Sequence, residues 1–168
     1  TVALGVGNAG SVRVGHYVGA GDRLGARRAG LTAFGAAAAF MSLCGLAFLL
    51  FPHAIARLLT DDPAVVAVAA PLFRIAALFQ VADGIQAVGA GVLRGAGETR
   101  FTFLANVAGH WVLGLPSVLL LVFGLGLGVA GLWWGFVAGL FAVAGALLWR
   151  FLRVSSREIA PLAGAGHG

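Results

Sequence analysis

Charged residues are scarce in this sequence. They make up 10% of its 168 residues, whereas a typical soluble domain carries about 25%. Hydrophobic residues account for 60% of the chain. The shortage of charge excludes an ordinary soluble domain and indicates an integral membrane protein.

Lysine is absent, and cysteine occurs once. All eleven basic residues are arginine, and the formal net charge is +5. These arginines cluster at the ends of apolar runs, which is typical of membrane topology rather than of nucleic-acid binding. Because Cys44 is alone, this chain cannot form an intrachain disulfide, a thiolate metal cluster or a redox pair. It also offers no nucleophile with a paired base and no competent phosphate loop, so it predicts neither an enzyme nor a cofactor.

Four apolar runs are long enough to cross a bilayer, at about 1.5 Å of helix per residue. A shorter apolar segment precedes them and is interpreted as the end of a helix that starts outside the sequence. The expected elements are a partial helix at 1–14, transmembrane spans at about 29–51, 69–93, 101–123 and 129–149, and a disordered cytoplasmic tail at 156–168. The predicted fold is therefore all-α, a polytopic membrane helix bundle over residues 1–155.

The arginines also predict the topology. Arginine-rich segments at 13–28, 94–100 and 150–157 alternate with two connections that lack a basic excess. Basic residues accumulate on the cytoplasmic side of membrane proteins. The C-terminus is therefore expected in the cytoplasm.

Asp83 is the one carboxylate inside a predicted span. It follows Arg74 by nine residues and precedes Arg94 by eleven, which places it near the bilayer midplane. A charged aspartate at that depth costs about 2.5–3.5 kcal/mol. We therefore expect Asp83 to face protein or water and treat it as a candidate functional residue.

Two amides lie near Asp83 on the same helix. Gln80 shares its face, Phe79 lies one turn before it, and Gln86 follows it by three residues. The amides could orient the carboxylate, hydrate an ion or bond a protonated form. The alternative is an amide-lined helix contact in which the aspartate is satisfied by a partner helix.

The third span carries Asn106 and His110, one helical turn apart. They are candidates for cavity contacts or for a proton relay. The alternative is interhelical hydrogen bonding, worth about 0.6 kcal/mol for each bond in membranes. Pro116 is expected to kink the same helix.

Small residues recur at one-turn spacing and are expected to let helix backbones pack closely. The pairs are Gly15 with Gly19, Gly91 with Gly95, and Gly135 with Gly139. The segments GAGDR (19–23) and GAGETR (95–100) also resemble each other, and both join one helix to the next.

Four motifs, in order, carry a resemblance to a known family. They are Arg13-Val-Gly-x-x-x-Gly19-Ala-Gly-Asp22; Phe79-Gln-x-x-Asp83-x-x-Gln86-x-x-Gly89-x-Gly91-x-Leu93-Arg94-Gly95; Asn106 with Trp111 and Gly114-Leu-Pro116; and Gly128-x-x-Gly131-Leu-Trp-x-Gly135. Over about residues 1–155 the chain resembles the C-terminal part of a MATE (multidrug and toxic compound extrusion) transporter.

The resemblance implies two six-helix lobes around a central cavity. This chain would supply the end of the eighth helix and helices nine to twelve, with the N-terminal lobe and the seventh helix missing. In the family's bacterial branch, the aspartate that matches Asp83 takes part in cation binding. A tyrosine commonly stands where this sequence has Phe79, so a tyrosine hydroxyl is absent here.

The implied function is antiport in the cell membrane, in which inward movement of H⁺ or Na⁺ drives export of an amphipathic, often cationic drug. Na⁺ at Asp83 is the one metal that this hypothesis admits, and no nucleic-acid partner is expected. Two alternatives stay open. One is a lipid-linked glycan flippase of the same superfamily, and the other is a four-helix membrane scaffold without transport activity.

Overall fold

The computed structural model describes residues 1–156. Its helices are α1 (Val2–Gly19), α2 (Arg23–Leu50), α3 (Pro52–Leu59), α4 (Pro63–Gly95), α5 (Thr99–Gly124) and α6 (Gly128–Ser156). This part of the chain contains no strand, and α2, α4, α5 and α6 are each long and apolar enough to cross a membrane. The predicted all-α membrane fold is confirmed. The predicted tail lies outside the described residues, except for Ser156 at the end of α6.

The arginine-rich segment 13–28 is almost entirely helical, although the sequence suggested a connection. Only residues 20–22 separate α1 from α2. Asp22 caps α2, because its carboxylate accepts the backbone N–H of Gly25 at 2.8 Å. Both helices extend past the predicted spans, since arginine side chains on their ends can reach the polar interface.

Close backbone contacts set the directions of α1, α2 and α4. A Cβ at Gly91 would collide with the backbone of Gly7, and one at Gly95 with that of Ser11. Both pairs are 84 residues apart (91 − 7 and 95 − 11), so α1 and α4 run parallel. In contrast, a Cβ at Gly45 would lie 2.9 Å from the carbonyl oxygen of Ala77 in the first half of α4. Because Gly45 is near the end of α2, that helix runs antiparallel to α4, as the alternating topology requires.

The helices α5 and α6 pack through glycines in an antiparallel register. A Cβ at Gly131 would lie 2.9 Å from the Leu121 backbone, and one at Gly139 would lie 3.1 Å from the Cα of Gly114. Gly135 and Gly139 therefore both lie where α6 packs closely against α5, as predicted for this pair. Gly19 does not, because a Cβ there would meet nothing within 4 Å. The prediction for that residue is wrong, since α1 ends at Gly19 and the chain turns away.

The helix α5 contains two π-helical stretches, Ala108–Gly114 and Leu120–Gly124, on either side of Pro116. The N–H of Leu115 donates to the carbonyl of His110, five residues earlier. A wider turn of this kind re-aims side chains and is frequent at functional sites. The irregularity expected near Pro116 therefore takes the form of a shifted hydrogen-bond ladder.

The turn between α1 and α2 and the turn between α4 and α5 share one geometry. Gly21 has φ +70° and Gly97 has φ +82°, values that favour glycine because a side chain is strained there. The next residue in each turn donates its N–H to a carbonyl five residues back, at 2.9 Å for Asp22 and 2.8 Å for Glu98. The likeness of GAGDR and GAGETR thus reflects the same helix-ending turn.

The buried core lies near these turns and joins four helices. Phe34 of α2 contacts Phe151 of α6, with ring centroids 5.7 Å apart. Gly30 makes room for the Phe151 ring, since a Cβ there would overlap it. The buried cluster is Val14, Ala26, Ala33, Phe34, Ala37, Val88, Val92, Leu93, Val143, Leu147 and Phe151.

Glu98 differs from Asp22 because it pairs with an arginine across the bundle. Arg150 of α6 donates from Nη2 to Oε1 and Oε2 of Glu98, both at 2.8 Å, and from Nε to Oε2 at 3.2 Å. The guanidinium also lies 5.1 Å from the centroid of the Phe101 ring. The two charged side chains are 30% and 26% exposed. This pair ties the turn before α5 to the end of α6.

Removing the negative charge from this pair should destabilise the bundle modestly. We expect Glu98→Gln to lower the free energy of unfolding by about 1 kcal/mol, because a multidentate, partly buried pair is stronger than a surface one. Thermal unfolding of the detergent-purified protein measures the effect. Arg100→Gln is the matched control, because Arg100 is exposed and has no ion-pair partner within residues 1–156. Equal melting curves for the two variants would contradict the prediction.

Candidate functional site

Asp83 lies on the exposed surface of α4. Within residues 1–156, the carboxylate forms no ion pair and accepts no hydrogen bond. A carboxylate in this setting has its oxygens available to a proton, an ion or another part of a larger assembly.

The residues before Asp83 are partly buried. Phe79 stacks on Trp133 of α6, with ring centroids 5.5 Å apart and planes inclined by 20°. Gln80 is also partly buried and makes no side-chain hydrogen bond within the described part of the chain. Phe79 therefore fixes α4 against α6 one turn from the carboxylate, a packing role that needs no hydroxyl.

Gln86 binds another helix rather than Asp83. Its Nε2 donates to Oδ1 of Asn106 at 2.8 Å, which links α4 to α5. Three residues at about 100° each turn Gln86 some 60° around the helix from Asp83, toward α5. The amide oxygen Oε1 of Gln86 is buried and has no hydrogen-bond partner in residues 1–156. Gln80 and Gln86 therefore do not both contact the Asp83 carboxylate, contrary to the expectation. Gln86 instead binds Asn106 on α5.

Asn106 and His110 form a short chain of hydrogen bonds along α5. Asn106 Nδ2 donates to the carbonyl of Thr102 at 2.8 Å, and His110 Nδ1 lies 2.9 Å from the carbonyl of Asn106. Because a carbonyl only accepts, Nδ1 carries the hydrogen of that bond. In a neutral imidazole, Nε2 is then an acceptor.

His110 lines an apolar cavity of about 340 Å³ between α5 and α6. Trp111, Val118 and Phe136 form other parts of its wall. The cavity lies at the first π-helical stretch of α5, where Gly109 and Gly114 are buried against α6. His110 is the most polar group on this wall, and the cavity is suited to apolar or amphipathic molecules.

The structure also adds Thr102, which the sequence patterns did not mark and which contributes its carbonyl to the Asn106 amide. Trp133, a residue of the fourth motif, supplies the surface for Phe79. Glu98 offered a recognisable signal, because it is the one acid between Arg94 and Arg100. No group of three or more His, Cys, Asp or Glu side chains is placed to hold a metal ion in residues 1–156.

A sequence model of the MatE family matches residues 1–120. The chain is 51% identical over 166 residues to the multidrug resistance protein NorM of Burkholderia vietnamiensis, covering 95% of this chain and 36% of that protein. It is 48% identical over 160 residues to a probable NorM of Burkholderia pseudomallei, covering 92% and 34%. The chain thus spans about a third of the length of the curated relatives it matches.

Two solved structures share the fold. The eukaryotic MATE transporter AtDTX14 superposes with a TM-score of 0.84 at 25% identity, covering 92% of this chain and 36% of that one. An inward-facing multidrug resistance MATE transporter of the MOP superfamily superposes with a TM-score of 0.80 at 21% identity, covering 89% and 34%. The arrangement of α1 to α6 is therefore that of one part of these transporters.

Proposed function

This chain belongs to the MATE transporter family, and from that premise we propose that it is part of a cation-coupled multidrug antiporter in the cell membrane, with Asp83 as the coupling residue. The observation that carries the proposal is the position of Asp83. It is an exposed carboxylate in a membrane-spanning helix, without a partner within residues 1–156. Intramembrane acids of this kind titrate, bind ions or pair with other groups.

The proposed exchange rests on competition for one carboxylate. When H⁺ or Na⁺ enters down its gradient, it neutralises Asp83 and removes the site for a cationic drug. Release of the ion restores the charge. Each charge that crosses 100 mV supplies about 2.3 kcal/mol, which is comparable to the roughly 2.5–3.5 kcal/mol cost of a charged aspartate at the midplane.

The groups around Asp83 suit this role in different ways. Phe79 and Gln86 hold α4 against α6 and α5, so that the carboxylate keeps its place when its charge changes. The Oε1 of Gln86 is buried at the α5 contact, so the proposed cation ligand on the open face of α4 is the Asp83 carboxylate, whose oxygens suit hard cations. For Asn106 and His110 we propose an interhelical and cavity-lining role, with His110 contacting drug in the cavity between α5 and α6.

The chain covers about a third of the length of its relatives. We therefore infer that its structural partner is the N-terminal lobe and the seventh helix of the same transporter. Asp83 would face these parts across the central cavity. Because these relatives are named multidrug resistance proteins, we favour a small drug-like substrate over a lipid-linked glycan.

Drug transport in inverted membrane vesicles tests the proposal. Vesicles from cells that express the full-length gene product should accumulate ethidium when either a pH or a Na⁺ gradient is imposed, and an ionophore that collapses the effective gradient should stop it. Vesicles without the gene provide the control. Accumulation that needs ATP with both gradients collapsed, or none above the control, would contradict the proposal.

A further inference from the structure

A second cavity opens between the cytoplasmic ends of α1 and α2. Its volume is about 450 Å³, and its polar lining consists of Arg13, Tyr17, Asp22, Arg28 and Thr32. It is distinct from the region of Asp83, which lies on another helix near the expected bilayer midplane. The proposed transport mechanism does not use it.

The two arginines of this cavity lie at the same depth. Arg13 precedes the turn residue Gly21 by eight residues, and Arg28 follows it by seven. In a helical hairpin these spacings put both residues about 10–12 Å from the turn. From residue 29 to the end of α2 there is no charged residue, so Arg28 marks the border of the apolar region. Both guanidinium groups therefore lie at the level of the lipid headgroups.

The cavity carries unbalanced positive charge. Arg13 and Arg28 are exposed, and within residues 1–156 neither forms an ion pair or donates a side-chain hydrogen bond. The one acid on the wall, Asp22, already accepts the N–H of Gly25 at 2.8 Å. Two arginines against one carboxylate leave a net positive site with free guanidinium donors, the groups that bind phosphate oxygens in pairs.

The shape of the cavity depends on Gly25. A Cβ at that position would overlap the Tyr17 ring and the Asp22 carboxylate. Its absence lets the aromatic ring of Tyr17 lie against α2. The Tyr17 hydroxyl makes no hydrogen bond within the described part of the chain, so a further polar group is available near the arginines.

We propose that this cavity binds the headgroup of an anionic phospholipid from the cytoplasmic leaflet, with Arg13 and Arg28 on its phosphate. Basic pockets between transmembrane helices on the cytoplasmic side are suited to such headgroups. A lipid is favoured over free phosphate because the site lies at headgroup depth, and because the uncharged stretch of α2 below Arg28 can contact the acyl chains. The inference does not depend on drug export.

Native mass spectrometry of the purified full-length gene product, titrated with phosphatidylglycerol, tests the site. We expect Arg13→Gln/Arg28→Gln to bind this lipid at least about tenfold more weakly than wild type, because each arginine near an anionic headgroup contributes to its binding. Arg94→Gln/Arg100→Gln is the matched control, because it removes the same charge from exposed residues outside the cavity. Its affinity should stay within about twofold of wild type.

Three outcomes would overturn the proposal: equal losses in the two double variants, equal binding of phosphatidylcholine by wild type, or displacement of the lipid by millimolar inorganic phosphate. The last outcome would assign the cavity to a free anion.

A measurement on the unaltered protein guards against misfolding of the variants. Photoactivatable phosphatidylglycerol should label residues 13–32, and labelling confined to other segments would also refute the site.

Discussion

Replacing Asp83 by Asn is expected to abolish gradient-driven ethidium efflux, with at least a tenfold fall in the initial rate. Asparagine keeps the size of the side chain but can neither ionise nor exchange a proton. Because the Asp83 carboxylate has no hydrogen bond or ion pair within residues 1–156, its neutralisation breaks no described contact. The amount of protein in the membrane should therefore stay close to wild type, which separates loss of coupling from loss of folding.

Two further variants sharpen this test. Asp83→Glu keeps a carboxylate on α4 and should retain part of the coupled efflux. Asp61→Asn removes one negative charge from an exposed residue between α3 and α4 and should leave efflux unchanged. If Asp83→Asn transported ethidium with the same dependence on ions as wild type, coupling would have to reside outside this chain, and Asp83 would be a structural acid.

Much of the fold follows from composition and the spacing of charge. Arginines at the ends of apolar runs marked the turns at one end of the bundle, and the parallel packing of α1 with α4 agrees with that alternation. The ends of the helices were harder to predict. Gly21 and Gly97 reverse the chain in so few residues that arginines such as Arg13 and Arg23 remain helical, whereas charge alone suggested a longer connection.

The candidate site could be predicted only within each helix. Helical spacing relates Gln80, Asp83 and Gln86, and it places His110 one turn after Asn106, where the structure shows its Nδ1 2.9 Å from the Asn106 carbonyl. It does not predict that Gln86 binds Asn106, because a contact between helices depends on their relative register. That register is set by close backbone contacts, which no single-helix pattern specifies.

The contact between α1 and α4 should be the most sensitive to added volume. We expect Gly91→Ala to lower the free energy of unfolding by about 2–3 kcal/mol, toward the upper range for overpacking. The new methyl group would meet the Gly7 backbone, with the carbonyl carbon 2.6 Å and the Cα 3.0 Å away. Backbone atoms cannot rotate aside as a side chain can, so the two helices must separate. In lipid such separation is costly, because helix association relies on close packing.

Gly145→Ala is the matched control for this variant. Gly145 lies in the membrane-spanning helix α6, and a Cβ there would meet nothing within 4 Å in the described chain. Since alanine favours a helix by about 1 kcal/mol over glycine, this control should be neutral or slightly stabilising. Denaturation in a graded mixture of detergents, followed by circular dichroism, measures both variants against wild type. A Gly91→Ala protein as stable as the Gly145→Ala protein would show that α1 is not held against α4 by the Gly7–Gly91 contact. The α1–α4 register, with its offset of 84 residues, would then be wrong.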